Sequence, residues 1–348
     1  MTTYEYVGNL HAHTTYSDGE ALHAEVARAA ADAGLDFVVV TDHNVWVDGC
    51  ERYYDKVLLL VGEEVHDVRR QPQANHLLVY NAEAEVVLHA DDPQGLIDEV
   101  DRQGGFSYIA HPYEYGGDGF SAIPWADWDV KGYVGLEIWN YMSEFKALAS
   151  NKLAAIYYAY LPAQGIRGPF RDALRRWDEL LSKGERVPAI GSADAHGTPF
   201  SLGPLRRVLF PYEYLFRCVN THIMTEHPLN GSLEHDKALI YDALRAGHTW
   251  VGYDLPASTA GFRFQGRSGS TRVLMGDELA RAGAAIFEIH APQNADIRLL
   301  LDGRIVAQVR GKYLKHTSAE PGAYRVEAYR WYRMGRRGWI FSSPIYVL

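Results

Sequence analysis

The stretch Asn9-Leu10-His11-Ala12-His13-Thr14-Thr15-Tyr16-Ser17-Asp18-Gly19 decides how the rest of the chain is read. Tyr6 to His13 reads as a short, largely apolar strand. Side chains alternate faces along a strand, so His11 and His13 point the same way. Two imidazoles side by side at a strand end can grip one cation, or they can be polar residues on an exposed edge. A two-histidine spacing is weak by itself, so the weight falls on what surrounds it.

Working outward, Ser17-Asp18-Gly19-Glu20 has the capping-box form, and Glu20 to Ala33 reads as a helix closed by Gly34. Asp18 thus has a helix-stabilising role open to it beside that of a ligand. Phe37-Val38-Val39-Val40-Thr41 is the continuous apolar run of a parallel strand buried on both faces, and it ends in Asp42-His43-Asn44. The pattern recurs. Val57 to Val61 runs into Gly62-Glu63-Glu64-Val65-His66, and His76 to Tyr80 is a further strand. Phe106 to Ala110 ends in His111-Pro112, Val134 to Asn140 follows, and Val187 to Ser192 runs into Asp194-Ala195-His196. Strand, helix, strand is a βαβ unit. In parallel α/β barrels the C-terminal strand ends are where active sites are built.

Taken in this order, His11-Ala12-His13, Thr41-Asp42-His43-Asn44, Gly62-Glu63-Glu64, Ala110-His111-Pro112 and Asp194-Ala195-His196 resemble the PHP (polymerase and histidinol phosphatase) family over about residues 5–255. The resemblance implies an α/β fold, a distorted (β/α)7 barrel with a trinuclear metal site. Its ligands would be His11, His13, Asp18, His43, Glu64, His76, His111, Asp194 and His196, with Glu64, Asp194 and His196 as the catalytic set. By family analogy His11, His13, Glu64 and Asp194 hold one ion, Glu64, His76 and His111 a second, and Asp18, His43 and His196 a third. Nitrogen and oxygen donors without a thiolate suit two to three divalent ions such as Mn, Fe or Zn. The resemblance makes Glu64 the bridging candidate, since it sits two residues after Gly62 as in the family pattern; Glu63 is the rival, and alternation puts only one of the pair on the site side. Such a site makes hydrolysis the natural reaction, since metals lower the pKa of bound water from 15.7 to about 7.

Other residues carry two readings each. His66 shares a face with Glu64 and reads as a substrate contact or a hydrogen-bonding neighbour. Trp139 and Asn140 read as substrate contacts or as strand-end packing. Residues 142–183 form a helical insert, with helices at Leu148 to Tyr160 and Ala173 to Leu181. Beside its Pro- and Gly-containing loop, Arg167 and Arg171 could read a phosphate or carboxylate, or be solvated. Asn220 to Asn230 reads as a loop able to cover the site, with His222 and His227 on the surface.

A boundary near residue 256 separates the barrel (1–255) from a β-sandwich-like region (256–348), in which Asp302-Gly303 marks a hairpin. The Leu274-Met275-Gly276-Asp277 turn, the Tyr324-Arg325-Val326-Glu327 strand and the Trp339 to Val347 close resemble the CehA/McbA branch of PHP proteins. That branch implies carbamate hydrolysis, where the wider family implies phosphoesterases.

Composition narrows the classes. Of the formal charge of -10, residues 1–259 contribute 20 basic against 37 acidic side chains, and 260–348 contribute 14 against 7. An acidic body argues against wrapping nucleic acid, while the basic tail could meet an anionic partner or the acidic body itself. Cys50 and Cys218 are too few for a disulfide framework. No apolar run nears the ~20 residues of a membrane span, and the start lacks a signal segment. The expectation is a cytoplasmic enzyme with a small-molecule substrate and neither nucleic acid nor membrane as partner. The leading reading is a phosphoesterase cleaving a small phosphate mono- or diester. The alternatives are a carbamate or amide hydrolase with an aromatic pocket of Trp46, Trp139 and the insert tyrosines, and a non-catalytic metal-binding module.

Overall fold

The computed structural model describes residues 3–117, 119–202 and 205–348, and backbone only at 200–202 and 205–207. The apolar runs become β1 (Tyr4–Asn9), β2 (Phe37–Val40), β3 (Arg52–Tyr54), β4 (Val57–Val65), β5 (Leu77–Tyr80), β6 (Phe106–Ile109) and β7 (Gly135–Asn140). Helices α1 (His23–Ala33) and α2 (Pro93–Arg102) lie between them. The insert supplies α3 (Tyr141–Leu148), α4 (Lys152–Tyr160), α5 (Pro162–Gly165) and α6 (Arg171–Ser182). Next come β8 (Ala189–Ser192), a hairpin of β9 (Pro199–Leu202) and β10 (Leu205–Val208), α7 (Tyr212–Phe216), β11 (Val219–Thr225), α8 (Leu233–Ala246) and β12 (Thr249–Tyr253). Beyond them the described elements are strands: β13 (Arg263–Ser268), β14 (Thr271–Leu274), β15 (Glu278–Leu279), β16 (Ala285–Leu301), β17 (Arg304–Ser318), β18 (Gly322–Tyr332), β19 (Gly335–Ser342) and β20 (Ile345–Val347).

Every residue of β2 and β4 is buried, as their unbroken apolar runs require. The pairing order is β12, β11, β1, β2, β4, β5, β6, β7, β8. Besides β11, which runs antiparallel to β1 and β12, the ladder departs from a closed parallel barrel in two ways. First, β5 runs antiparallel to both β4 and β6, so its N-terminal end, where His76 stands, lies with the C-terminal ends of its neighbours. Second, the ladder does not close. Among the described residues β8 pairs only with β7. Across the seam, Thr221 Oγ1 takes the Gly191 N–H at 3.0 Å and reaches the Gly191 carbonyl at 2.8 Å. Thr249 Oγ1 donates to the Ala189 carbonyl at 2.9 Å. A Cβ on Gly191 would stand 2.3 Å from Val251, so this approach needs glycine. β12 also pairs with β19, so the C-terminal strands are continuous with the same sheet.

Local signals fared unevenly. α1 begins at His23, three residues later than expected, with the Glu25 carboxylate accepting from the Leu22 N–H at 2.8 Å. Ser17 instead donates to Asp42 at 2.7 Å, leaving Asp18 uncommitted to a cap. The helix expected at Leu148 to Tyr160 starts four residues later as α4, capped by the Asn151 side chain, and α3 is a separate helix that ends at Leu148. The covering loop expected at Asn220 to Asn230 is largely β11, and His222 is buried within it. At the hairpin, Asp302 (φ 47°) and Gly303 (φ 79°) adopt the left-handed conformations of a two-residue turn. No helix among the described residues is long and apolar enough to cross a membrane.

Candidate metal centre

His11-Ala12-His13 continues from β1 as extended chain, bonded on both sides: Thr41 N–H to the Ala12 carbonyl at 2.7 Å and His13 N–H to the Ala195 carbonyl at 2.9 Å. The alternation therefore holds, and both rings face Glu64. Glu64 is fully enclosed and its two oxygens address different imidazoles. Oε2 lies 2.9 Å from His11, 3.2 Å from His13 and 3.2 Å from His43. Oε1 lies 2.6 Å from His76 and 3.1 Å from His111. Glu63 points the other way, its carboxyl pushed up to about 8 by burial.

Around this carboxylate the nine predicted side chains gather into overlapping groups. His11, His13, Glu64 and Asp194 form one, Glu64, His76 and His111 another, and Asp18, His43, His196 and His13 a third. Within each, one potential ligand atom per residue lies within 4.8 Å of the rest. Asp18 Oδ1 is 3.3 Å from His196, and Asp194 Oδ1 is 3.2 Å from His13.

The donor chemistry fits divalent cations. His13 is buried 3.2 Å from two carboxylates, yet neither of its ring nitrogens makes a hydrogen bond, nor do His43 Nδ1 and His76 Nε2. Buried polar atoms are rarely left this way unless an ion or water completes them. Charge points in the same direction. Burial opposes a proton on His13 and on His111, yet the carboxylates of Asp194 and Glu64 push His13 up to about 9, and those of Glu64 and Glu114 do the same for His111. Burial holds His43 down at about 3 and lowers His76. Without a cation, protons on His11, His13 and His111 answer the carboxylates. Cations binding here would replace them.

The loops that present these groups are held tightly. Asp42 is buried and takes the Thr14 N–H, the Thr14 hydroxyl and the Ser17 hydroxyl, each at 2.7 Å. The Tyr212 hydroxyl lies 2.8 Å from the carbonyls of both His13 and His196. His111 (φ 23°), Asp194 (φ 56°) and Asn44 (φ 55°) adopt left-handed backbone, a strain of about 1–3 kcal/mol each that clusters at functional sites. Glu137 orients the His11 ring, with Oε1 3.1 Å from His11 Nδ1, and holds the His111 backbone, its Oε2 taking the His111 main-chain N–H at 2.9 Å.

The other expected site residues stand elsewhere. Asn140 is buried, donating to Glu137 at 3.1 Å and Asp194 at 3.3 Å and capping α3, so it positions ligands. Trp139 is buried, with its indole N–H on Glu144 at 2.9 Å. Arg167 is exposed and contributes no side chain to the cavity, and Arg171 lines a separate surface groove with Asp178 and Asp302. His66 stacks on His76 at 4.2 Å without lining the cavity.

That cavity, about 240 Å³, opens over the cluster and is completed by Ile123, Met142, Lys146 and Thr198. No Trp, Tyr or Phe is among its described lining residues. Lys146 escaped sequence reasoning. It follows Met142 by four residues on α3, the spacing that puts two side chains on one helix face. Its ammonium rests on Glu114 at 3.0 and 3.2 Å. Although burial works against the charge, Glu114 and Asp194 raise its pKa.

No family model matches the chain, and no curated protein does. Among solved structures, similarity extends to a two-domain protein from Bacteroides vulgatus containing a predicted PHP-like metal-dependent phosphoesterase (14% identity, 99% of this chain and 96% of that one, TM-score 0.46). A candidate metal-dependent phosphoesterase from Bifidobacterium adolescentis gives 15% identity over 59% of this chain and 92% of that one, TM-score 0.36. An amidohydrolase from Chromobacterium violaceum with bound sulfate and no metal gives 13% over 59% and 92%, TM-score 0.27. At such scores the functional reading rests on this chain's own geometry.

Proposed function

We propose that the protein is a metal-dependent hydrolase of PHP type acting on a small phosphate ester. The observation that supports it most is Glu64, whose two oxygens face separate imidazole sets inside one cavity, as a bridging carboxylate does. His11, His13, Glu64 and Asp194 would hold one ion, Glu64, His76 and His111 a second, and Asp18, His43 and His196 a third. Bound divalent ions supply an acidified water and Lewis-acid polarisation of the substrate.

The chain's own residues do the rest. Glu137 accepts from His11 Nδ1, fixing that ring so that Nε2 faces Glu64. Asn140 holds Asp194 against His13. Lys146 is the lysine or arginine among the described lining residues, and Glu114 aims it while leaving part of its ammonium exposed. An ammonium at the mouth of an anionic site favours a substrate with negatively charged oxygens, which suits a phosphate ester better than a neutral aryl carbamate.

The test pairs elemental analysis of the purified protein with turnover of p-nitrophenyl phosphate, bis(p-nitrophenyl) phosphate and 1-naphthyl N-methylcarbamate. Two or three equivalents of Mn, Fe or Zn with phosphoester turnover, competitively inhibited by inorganic phosphate, is the expected result. Turnover of the carbamate alone would move the protein to the CehA-type hydrolases. Metal without turnover of any of the three would leave a binding module.

A further inference from the structure

β16 and β18 pair from Leu301 and Tyr324 as far as Asp296 and Tyr329, and there they part. β16 bends away through a register break between His290 and Ala295, while β18 runs on with β19 to Tyr332. A groove of about 530 Å³ opens where they separate, and it shares no described lining residue with the cavity over the metal cluster. Three arginines stand along it, and their charges are unequally answered. Arg336 is tied to Asp296 at 2.6 Å and lies over the Tyr329 ring at 4.1 Å. Arg330 has a carbonyl, that of Asn294 at 2.9 Å, and the face of Trp339 at 4.7 Å, but no acid among the described residues. Arg310 is paired in the ladder with Asp296, yet its side chain makes no hydrogen bond or ion pair with a described residue. Asp296 is the one acid among the described lining residues, and Gln308 at 2.6 Å and Arg336 already take its two oxygens. Trp331, opposite Arg336 on β19, is 74% exposed, which leaves its indole face free.

We propose that this groove binds a nucleotide, with the base on Trp331 and the phosphate oxygens on Arg310 and Arg330. The planar donor fork of a guanidinium matches phosphate oxygens, and an exposed indole is a stacking platform for a flat ring. The two features stand side by side, and each selects against a simpler ligand. A neutral sugar needs free acceptors for its hydroxyls, and the Asp296 oxygens are committed. A bare inorganic anion would use the arginines and leave Trp331 idle. The volume lies within the range of about 300–1,000 Å³ usual for small-molecule sites. Residues 260–348, with 14 basic against 7 acidic side chains, supply a field that draws an anion toward these strands. The inference does not depend on what the metal centre hydrolyses.

The experiment uses the full chain, stripped of metal and kept in EDTA so that no ester is cleaved. Isothermal titration calorimetry with ADP should give saturable one-to-one binding that weakens as salt is raised. Adenosine and inorganic phosphate each carry half of the recognised chemistry, and each should bind about tenfold more weakly or worse. Arg310→Gln should weaken ADP binding about tenfold or more, and Trp331→Ala about fivefold or more. Both side chains are exposed, so the variants should fold as wild type does by circular dichroism. Absence of ADP binding in wild type, or binding that both variants leave unchanged, overturns the proposal. So does binding that Lys146→Met abolishes and the two groove variants do not, which would put ADP at the metal centre. Phosphate binding as tightly as ADP, and indifferent to Trp331→Ala, overturns it in favour of a site for simple anions.

Discussion

Lys146 shows what a single side chain adds to a cluster of ligands. The nine imidazoles and carboxylates would hold cations, and under the proposed function Lys146 adds a positive charge of the chain's own to a site for a negatively charged substrate. Lys146→Met should raise KM for a phosphate ester about tenfold or more, the loss expected for a charged hydrogen bond of about 1.5–3 kcal/mol, with the metal content of wild type. Unchanged KM in steady-state assays would remove Lys146 from the substrate's path. Glu137 makes the complementary prediction. Glu137→Gln keeps the shape but offers an amide where His11 Nδ1 and the His111 N–H now find carboxylate oxygens. Metal affinity should fall about 10–100-fold by chelator competition, and an affinity equal to wild type would show that the His11 ring and the His111 backbone need no carboxylate to hold them. Most of the nine gathered residues stood out because ligand-type side chains ended one apolar strand after another, whereas Asp18, in a turn, and His76, ahead of its strand, entered through the family resemblance. Glu137 carried a weaker signal, a lone acid inside the apolar run Leu136 to Trp139. Lys146 carried almost none, since a lysine in a helix is ordinarily a solvated one.

At the scale of elements, strand positions were readable and strand directions were not. An apolar run says that a segment is buried but contains nothing that distinguishes parallel from antiparallel pairing, so nothing in His76 to Tyr80 marks β5 as the antiparallel strand it is. β11 was misread because Asn220, His222 and Thr221 look like loop chemistry. Inside the sheet, each of them has a partner from another strand or turn. His222 is 2% exposed, stacks on Trp250, and lies 3.1 Å from Asp254, 3.3 Å from Glu5 and 2.9 Å from the Thr259 hydroxyl, with Arg263 beyond on Glu5. Burial opposes its proton, but Asp254 and Glu5 push it up to about 9. A folded pKa above the unfolded value near 6.5 stabilises fully below that value and is lost as pH rises through about 9. The full contribution is on the order of 3 kcal/mol. Wild-type Tm should thus fall between pH 6.5 and 9.5, and His222→Gln, less stable at neutral pH, should lose much less over that interval. Parallel losses in the two proteins would place the titration elsewhere.

Across the whole molecule, the uneven charge resolves internally at several points, because cations of the C-terminal strands meet acids of the mixed part. Arg263 reaches Glu5 at 2.6 Å, and Arg325 grips Asp178 of α6 with two nitrogens at 2.7 and 2.9 Å. Arg325 is 1% exposed, also bonded to Glu327 at 2.7 Å and set over the Trp177 ring at 4.7 Å. This seam is connected to the metal centre. The Gly338 N–H of β19 donates to the Arg167 carbonyl at 2.7 Å, the Arg167 N–H donates to Glu144 at 2.5 Å, and Glu144 stands on α3, the helix that carries Lys146. Arg325→Ala leaves two acids facing each other without their cation, a change that costs about 3–5 kcal/mol in buried pairs. Urea unfolding should show that loss, and adding Asp178→Asn should recover part of it by removing one stranded charge. Because α3 is braced through the same seam, the single variant should also raise KM while binding its ions as wild type does. If instead Arg325→Ala unfolds at the wild-type urea concentration, the other contacts, among them the β12–β19 ladder and Arg263 on Glu5, hold the C-terminal strands in place and the arginine sets only local geometry.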